Sequence, residues 1–210
     1  MPGKILPIVE GYSEVEAVPL LVRRLLARLE RPDVQVSRPF RVSRLGVVRE
    51  GQIERAILQG VRDRGEVTAI LVILDSDDDD PAELEATLLS RCRQVVSLPV
   101  AVVAARRELE AWFLGSKDAL RNVCGIKADA NAPPSPESIR GAKERLTSNM
   151  VGGRRYLEVT DQPVMAVKMD LELAGRRCPS FQRLAAELER ILAESAGGGP
   201  LQGGPDQGTS

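Results

Sequence analysis

The sequence of 210 residues contains no histidine. That absence excludes the serine–histidine–aspartate and cysteine–histidine arrangements of nucleophilic catalysis, and it excludes zinc and iron sites that depend on imidazole ligands. Cysteine is also scarce, since Cys92, Cys124 and Cys178 are far apart and form no CxxC pair. This usage predicts buried thiols in a reducing cytoplasm rather than disulfides.

Aromatic residues and long apolar runs are few as well. The chain has one tryptophan, two tyrosines and three phenylalanines, although 43% of its residues are hydrophobic, so its core must be mainly aliphatic. No apolar run approaches the roughly 18 residues that a membrane span needs. The N-terminal run KILPIV is too short for a signal peptide and is typical of a strand. We therefore expect a cytoplasmic protein without a membrane segment.

Charge is nearly balanced overall, with a net value of −1, but it is unevenly distributed. Seven acidic residues and no basic residue lie between Asp75 and Glu85, whereas five arginines and one acidic residue, Asp33, lie between Arg31 and Arg49. The small net charge gives no general indication of nucleic-acid binding. An acidic pocket beside a basic surface remains compatible with this small net charge.

Strand-like and helix-like patterns alternate through the first half of the chain. Apolar runs predict strands at residues 4–9, 34–42, 67–75 and 98–105, and Pro39 marks the second as an edge strand. Amphipathic stretches between and after them predict helices, the first with Ser13 and Glu16 as a capping box. The alternation predicts an α/β fold, a Rossmann-like, mostly parallel sheet flanked by helices.

The pattern changes after residue 121. We expect an α/β domain over residues 1–121 and a helical C-terminal extension over residues 122–195, with Ser180 as the N-cap of its last helix. Residues 196–210 are rich in glycine and proline, which predicts a disordered tail.

Acidic residues follow three of the predicted strands. Glu10 ends the first strand and Glu14 lies one helical turn later, Asp75 and Asp77 end the central strand, and Glu108 and Glu110 follow the fourth. In an open parallel sheet the ligand site lies beyond the carboxyl ends of the strands. Carboxylate oxygens gathered there suit Mg²⁺ or Mn²⁺, and they would repel one another without a cation.

Each of these signals also has an ordinary structural explanation. Glu10 could belong to a simple turn, and an acidic residue such as Glu14 is favoured in any first helical turn. The run DSDDDD, residues 75–80, could form a solvated loop and helix start. Glu108 and Glu110 could lie on an exposed helix face. Trp112 and Phe113 are more typical of a core than of a base-stacking surface.

Three segments carry a resemblance to a known family. IVEGYSEVEAVPLL, VILDSD and AARRELEAWFLGS resemble the motifs of the TOPRIM domain, which topoisomerases, bacterial primases and overcoming-lysogenization-defect nucleases share. The strongest resemblance is to small stand-alone bacterial TOPRIM-like proteins that form a domain of unknown function, in which a late CPSF segment also recurs. The resemblance covers residues 4–116 and rests on the order and spacing of the motifs.

The resemblance implies a set of site residues. By correspondence with the nuclease branch, divalent metals would be bound by Glu10, Glu14, Asp75, Asp77 and Glu108, with Glu110 competing for the last role, and Glu10, Asp75 and Asp77 would be catalytic. Arg106 stands where that branch usually has a small polar residue, so the second metal site would be less complete than in that branch. Arginines of the basic segment and cations near the acids are candidates for substrate binding, namely Arg41, Arg44, Arg106, Arg107 and Lys143.

These residues predict a Mg²⁺- or Mn²⁺-dependent nuclease that hydrolyses phosphodiesters of nucleic acid, DNA more readily than RNA. The resemblance further implies a bacterial phage-defence or repair system with an ABC-type ATPase, which would be a separate chain because no Walker motif occurs here. The alternative is a TOPRIM-like binding subunit without catalysis. A receiver-like phosphoacceptor domain fits less well, and a dinucleotide enzyme lacks its G-x-G-x-x-G motif. The oligomeric state stays open.

Overall fold

The computed structural model describes residues 3–197, and their strands form one parallel sheet. The strands are β1 (Lys4–Val9), β2 (Gln35–Val36), β3 (Phe40–Arg41), β4 (Ala69–Asp75) and β5 (Val100–Ala105). Strand β4 lies between β1 and β5, and the short β2 and β3 both pair with the other side of β1. The predicted α/β fold with a parallel sheet is therefore confirmed.

The predicted edge strand over residues 34–42 is present in two pieces. Residues 37–39 separate β2 from β3. Pro39 has no N–H group to donate to a neighbouring strand, which explains why pairing lapses there. Both pieces remain at the edge of the sheet, as predicted.

Helices connect the strands and form most of the second half of the chain. They are α1 (Glu14–Arg28), α2 (Arg44–Val48), α3 (Gln52–Arg64), α4 (Pro81–Arg93), α5 (Glu110–Gly115), α6 (Ala142–Ser148), α7 (Glu158–Lys168), α8 (Leu171–Arg177) and α9 (Pro179–Gly197). The helix after β5 is short, since α5 ends at Gly115 and a 3₁₀ turn, Lys117–Leu120, follows it.

Alternate residues of the central strands face two different helical layers. On β4, Leu71 and Ile73 belong to a core with α1 and α9, whereas Ile70 and Val72 belong to a second core with α3 and α4. This is the period of two that a strand covered on both faces must show. Helix α9 packs on β5 and β4, so the helical extension shares one core with the sheet.

Two predicted helix caps are wrong. Ser13 has helical φ and ψ angles of −67° and −33° and makes no side-chain capping bond. Ser180 lies within α9, where its hydroxyl donates to Glu137 and accepts a hydrogen bond of 2.8 Å from the Trp112 indole N–H. The start of α4 does carry a cap, since Asp80 accepts hydrogen bonds from the N–H groups of Ala82 and Glu83.

None of the helices in residues 3–197 is long and apolar enough to cross a membrane. The tail predicted for residues 196–210 lies almost wholly outside the described residues.

Candidate functional site

The carboxyl ends of β1, β4 and β5 lie at the same edge of the sheet, because all three strands are parallel. Glu10 directly follows β1, Asp75 is the last residue of β4, and Glu110 begins the helix that follows β5. Three segments of the fold thereby bring carboxylates to one edge. This edge is where open α/β sheets bind their ligands.

Glu14 supports the loop that holds Glu10. Its side chain is buried and turns back so that Oε2 accepts a hydrogen bond of 3.0 Å from the Glu10 N–H. Gly11 leaves the room for this turn, because a Cβ there would lie only 2.9 Å from Glu14 Oε1. Glu10 Oε2 itself is buried and has no hydrogen-bond partner within residues 3–197. A buried carboxylate oxygen without a donor is costly, and it suits a ligand that brings positive charge.

Burial and neighbouring acids raise the pKa values of Glu10 and Asp75. Burial, together with the charges of Glu14 and Asp77, raises the pKa of Glu10 from 4.5 to about 7, although Arg44 opposes the shift. The pKa of Asp75 is raised well above its usual value, first by burial and then by the charges of Glu110, Glu14 and Glu10. The carboxylates are thus close enough to repel, as the sequence pattern predicts for a site without a cation.

The loops after β4 and β5 are tied to each other. The Asp77 N–H donates to the Arg107 carbonyl at 3.0 Å, and the Arg107 N–H donates to the Ser76 hydroxyl at 2.9 Å. Asp75 Oδ1 accepts a bond of 2.8 Å from the Leu109 N–H. Asp77 and Arg107 have left-handed φ angles of 51° and 64°, which are uncommon for residues with a Cβ. Such strained backbone concentrates at functional sites.

Arg44 neutralises part of the aspartate run. Its Nη1 donates to the Asp75 carbonyl at 2.7 Å, its Nε lies 3.3 Å from Asp77 Oδ2, and its Nη2 pairs with Asp79. Asp78 pairs with two other arginines, Arg107 and Arg140. An internal cation therefore occupies the mouth of the site beside Asp77.

The two glutamates after β5 have different surroundings. Glu108 accepts hydrogen bonds of 3.1–3.3 Å from three backbone N–H groups at the start of α6, residues 141–143. Glu110 is buried, accepts from the Tyr156 hydroxyl at 3.1 Å and from Gln162, and contributes to the raised pKa of Asp75. Of the two, Glu110 is the one electrostatically coupled to the central aspartate.

Lys143 supplies positive charge from the helical extension. Its Nζ pairs with Glu158 at 3.2 Å. Burial alone would lower the pKa of Lys143, but the carboxylates of Glu110, Glu158 and Asp75 raise it instead. Burial also raises the pKa of Glu110, to about 7, while Lys143 opposes that shift.

The remaining candidates for substrate binding differ in how far they are engaged. Arg41 stacks on the Tyr12 ring with its guanidinium carbon 3.8 Å from the ring centroid, and it also bonds the Tyr12 hydroxyl. Arg107 pairs with Asp78 at 3.0 Å. The exposed Arg106 side chain has no hydrogen bond or ion pair within the described residues, and it lines a cleft beside β5.

The donor set suits a hard divalent cation, because it consists of carboxylate oxygens. The unpaired oxygen of Glu10 and the repulsion between Glu10, Asp75 and Glu14 would both be relieved by such an ion. Within residues 3–197, however, no three acidic or cysteine side chains stand close enough together to hold a metal without moving. The exposed Asp77 side chain lies against Arg44 instead, with Oδ2 3.3 Å from Nε.

Several neighbours of the site are not evident from sequence patterns. Glu158, Gln162 and Tyr156 come from the segment that we expected only to form a helical extension, and nothing in their spacing indicates contact with Glu110. Ser76 lies inside the D-S-D segment, so its position could have drawn attention to it. Its buried hydroxyl ties the two loops together.

The fold and the site define an α/β protein with buried, mutually repelling carboxylates at the carboxyl edge of a parallel sheet. The chain belongs to the family described as a domain of unknown function, DUF4276, whose model matches residues 9–189. The match includes every candidate site residue named above. A search of curated proteins found no match, and neither did a search of solved structures.

Proposed function

We propose that the protein is a metal-dependent nuclease of the TOPRIM type that hydrolyses phosphodiesters of nucleic acid with Mg²⁺ or Mn²⁺. The observation that supports this most directly is the buried, unpaired Oε2 of Glu10 among carboxylates with raised pKa values. Such a cluster is unfavourable by itself and becomes favourable when a cation binds.

Each acid has a part that its position supports. Asp75 and Asp77 would hold the ion, and Glu10 would complete the set. A bound Mg²⁺ or Mn²⁺ would neutralise charge and polarise the phosphodiester as a Lewis acid. In the alternative role, Glu10 would remain outside the ligand set and act as the general base toward the attacking water. Glu14 keeps Glu10 in place through its bond to the Glu10 N–H.

The substrate and partners of this proposal come from the TOPRIM resemblance. They are nucleic acid, DNA more readily than RNA, and a separate ABC-type ATPase in a bacterial phage-defence or repair system. The exposed Arg106, whose side chain has no partner within the described residues, supports contact with a phosphate backbone.

The proposal is tested by incubating the purified protein with plasmid, linear duplex, single-stranded DNA and RNA, each with Mg²⁺, Mn²⁺ or EDTA. We expect cleavage only with metal, and we expect Asp75→Asn and Glu10→Gln to abolish it. Glu83→Gln is the matched control, because Glu83 is an exposed acid on α4 away from the cluster. No cleavage of any substrate would contradict the proposal, and so would cleavage that Asp75→Asn leaves unchanged.

A binding subunit without catalysis is the second candidate. It is favoured by four exposed aliphatic side chains on and just before α7, namely Leu157, Val159, Val164 and Val167. Exposed apolar groups at this density are typical of a surface that contacts another protein. The same incubation distinguishes the candidates, because a binding subunit would cleave nothing in any metal.

A further inference from the structure

A cleft of about 370 Å³ lies beside the carboxyl end of β5 and is separate from the carboxylate cluster. Three arginines from three different segments line it: Arg106 after β5, Arg177 at the end of α8 and Arg183 in α9. The one acidic residue among the described residues of its wall, Glu137, already accepts hydrogen bonds from the Ser180 N–H and hydroxyl. Asp118 pairs with Arg177 and Glu85 pairs with Arg183, so Arg106 is the cleft arginine without an ion pair among the described residues.

Its arginines keep N–H groups available. Arg106 makes no side-chain bond within the described residues. Arg177 uses Nη1 for Asp118 and for a backbone carbonyl, and Arg183 uses Nη1 for Glu85. For both, the structure gives Nε and Nη2 no partner in residues 3–197. A guanidinium presents a planar fork of donors that matches the oxygens of a phosphate.

The cleft lies next in the chain to the carboxylate site. Arg106 and Arg107 are neighbours in the chain, and the left-handed φ of 64° at Arg107 accompanies a turn between them. Arg107 lines a smaller cavity of about 130 Å³ together with Asp77 and Glu108, while Arg106 lines the arginine cleft. Consecutive residues of the chain therefore line the two cavities.

We propose that this arginine cleft binds backbone phosphates of the nucleic-acid strand next to the phosphodiester held at the carboxylates. The inference rests on the proposed nuclease function, and it names the path of the substrate beyond the cluster. Phosphate contacts of this kind position a strand without reading its sequence, so the cleft should accept strands of any sequence.

The test measures binding without cleavage. A fluorescein-labelled single-stranded oligodeoxynucleotide is titrated with the full chain in EDTA at several KCl concentrations, and anisotropy gives the association constant. Removing one arginine that binds a phosphate should reduce the slope of log K against log salt by about 0.7. We expect that reduction for Arg106→Ala and about twice as much for Arg106→Ala with Arg183→Gln. Arg62→Ala, an exposed arginine at the end of α3, is the control and should change nothing.

Two further arms make the outcome decisive. Arg106→Ala alone is sufficient if the double variant fails to fold by circular dichroism, because the Arg106 side chain has no partner within the described residues. Inorganic phosphate and a mononucleotide are added as competitors at constant ionic strength, and strand binding predicts little displacement at millimolar concentration. Displacement by either small anion would assign the cleft to a free phosphate or nucleotide and overturn the inference, as would an unchanged salt slope in Arg106→Ala.

Parallel cleavage assays separate this inference from the proposed function. If wild-type protein binds the strand through Arg106 but cleaves nothing with Mg²⁺ or Mn²⁺, the proposed role of the cleft stands and the proposed nuclease activity is wrong. If the protein cleaves nucleic acid but Arg106→Ala leaves binding unchanged, the proposed nuclease activity stands and the proposed role of the cleft is wrong.

Discussion

Glu10 is the residue whose ionisation most directly reports the state of the site. Its folded-state pKa of about 7 exceeds the ordinary value of 4.5, chiefly because the carboxyl is buried and lies near Glu14. The folded protein therefore retains a proton between about pH 4.5 and pH 7 that the unfolded chain releases. Stability from this group is fully present below about pH 4.5 and is lost as the pH rises through 7.

The first prediction is that Glu10→Gln flattens the pH dependence of stability. In EDTA, wild-type protein should lose free energy of unfolding from pH 5 to pH 8, and this group contributes at most about 3 kcal/mol of the loss. The variant should lack that part of the loss, whereas Glu16→Gln, at an exposed position in α1, should keep it. Urea unfolding at several pH values measures the effect. Parallel profiles for wild type and Glu10→Gln would contradict it.

Arg44 acts as an internal counter-ion at the mouth of the site. It bonds the Asp75 carbonyl and pairs with Asp77 and Asp79, so a metal that uses Asp77 must compete with it. We predict that Arg44→Gln lowers the melting temperature in EDTA, because it removes the bonds to all three aspartates, and increases the stabilisation by Mn²⁺. Arg55→Gln is the control, since Arg55 is at an exposed position of α3. A metal response equal to or smaller than that of wild type would refute this competition.

At the level of the elements, α9 attaches the helical extension to the sheet. Phe181 is 1% exposed and packs edge-on against Trp112, with ring centroids 5.3 Å apart. Because both rings lie in the core shared with β4 and β5, we predict that Phe181→Ala costs about 3–5 kcal/mol. Chemical denaturation measures it, with the exposed Gln182→Ala as control. A cost below about 1 kcal/mol would show that α9 is not packed against the sheet in this way.

Helices α4 and α9 also cover the outer side of β5. Glu85 accepts a hydrogen bond of 2.9 Å from the Ala104 N–H, and Arg190 donates to the Val100 carbonyl at 2.7 Å. An edge strand with free backbone groups invites pairing with another chain, and these side chains occupy two of the groups. We predict that Glu85→Ala increases concentration-dependent association, which sedimentation velocity would detect. A variant that associates no more than wild type would contradict this role.

The elements differ in how far the sequence predicts them. Uninterrupted aliphatic runs identify β4 and β5, since only strands buried on both faces combine that composition with that length. The sequence does not reveal that Glu14 turns back to the Glu10 N–H rather than Ser13 capping α1, because this depends on the space above Gly11. The roles of Glu108 and Glu110 are likewise invisible, since both depend on residues more than thirty positions later.

At the scale of the whole molecule, the sheet and the helical extension build the candidate site together. The strands supply Glu10 and Asp75, and the extension supplies Lys143 as a cation near Glu110. The sequence predicts where the acids gather, because parallel strands end at the same edge of the sheet. Pairing of Lys143 with a nearby acid is an expectation from the sequence, but its partner Glu158 and the pairing of Arg44 with Asp77 are indicated by no motif.

The central claim is that the acids at this edge form a metal site, and thermal melts in EDTA, Mg²⁺ and Mn²⁺ test it most directly. Asp77→Asn and Asp79→Asn are a matched pair, because both side chains are 58% exposed and both pair with Arg44. We predict that metal stabilises wild type, by about 2.7 kcal/mol at a hundredfold excess over the dissociation constant. Asp79→Asn should keep that gain and Asp77→Asn should lose most of it. Equal metal responses in the two variants, or no response in wild type, would contradict the account.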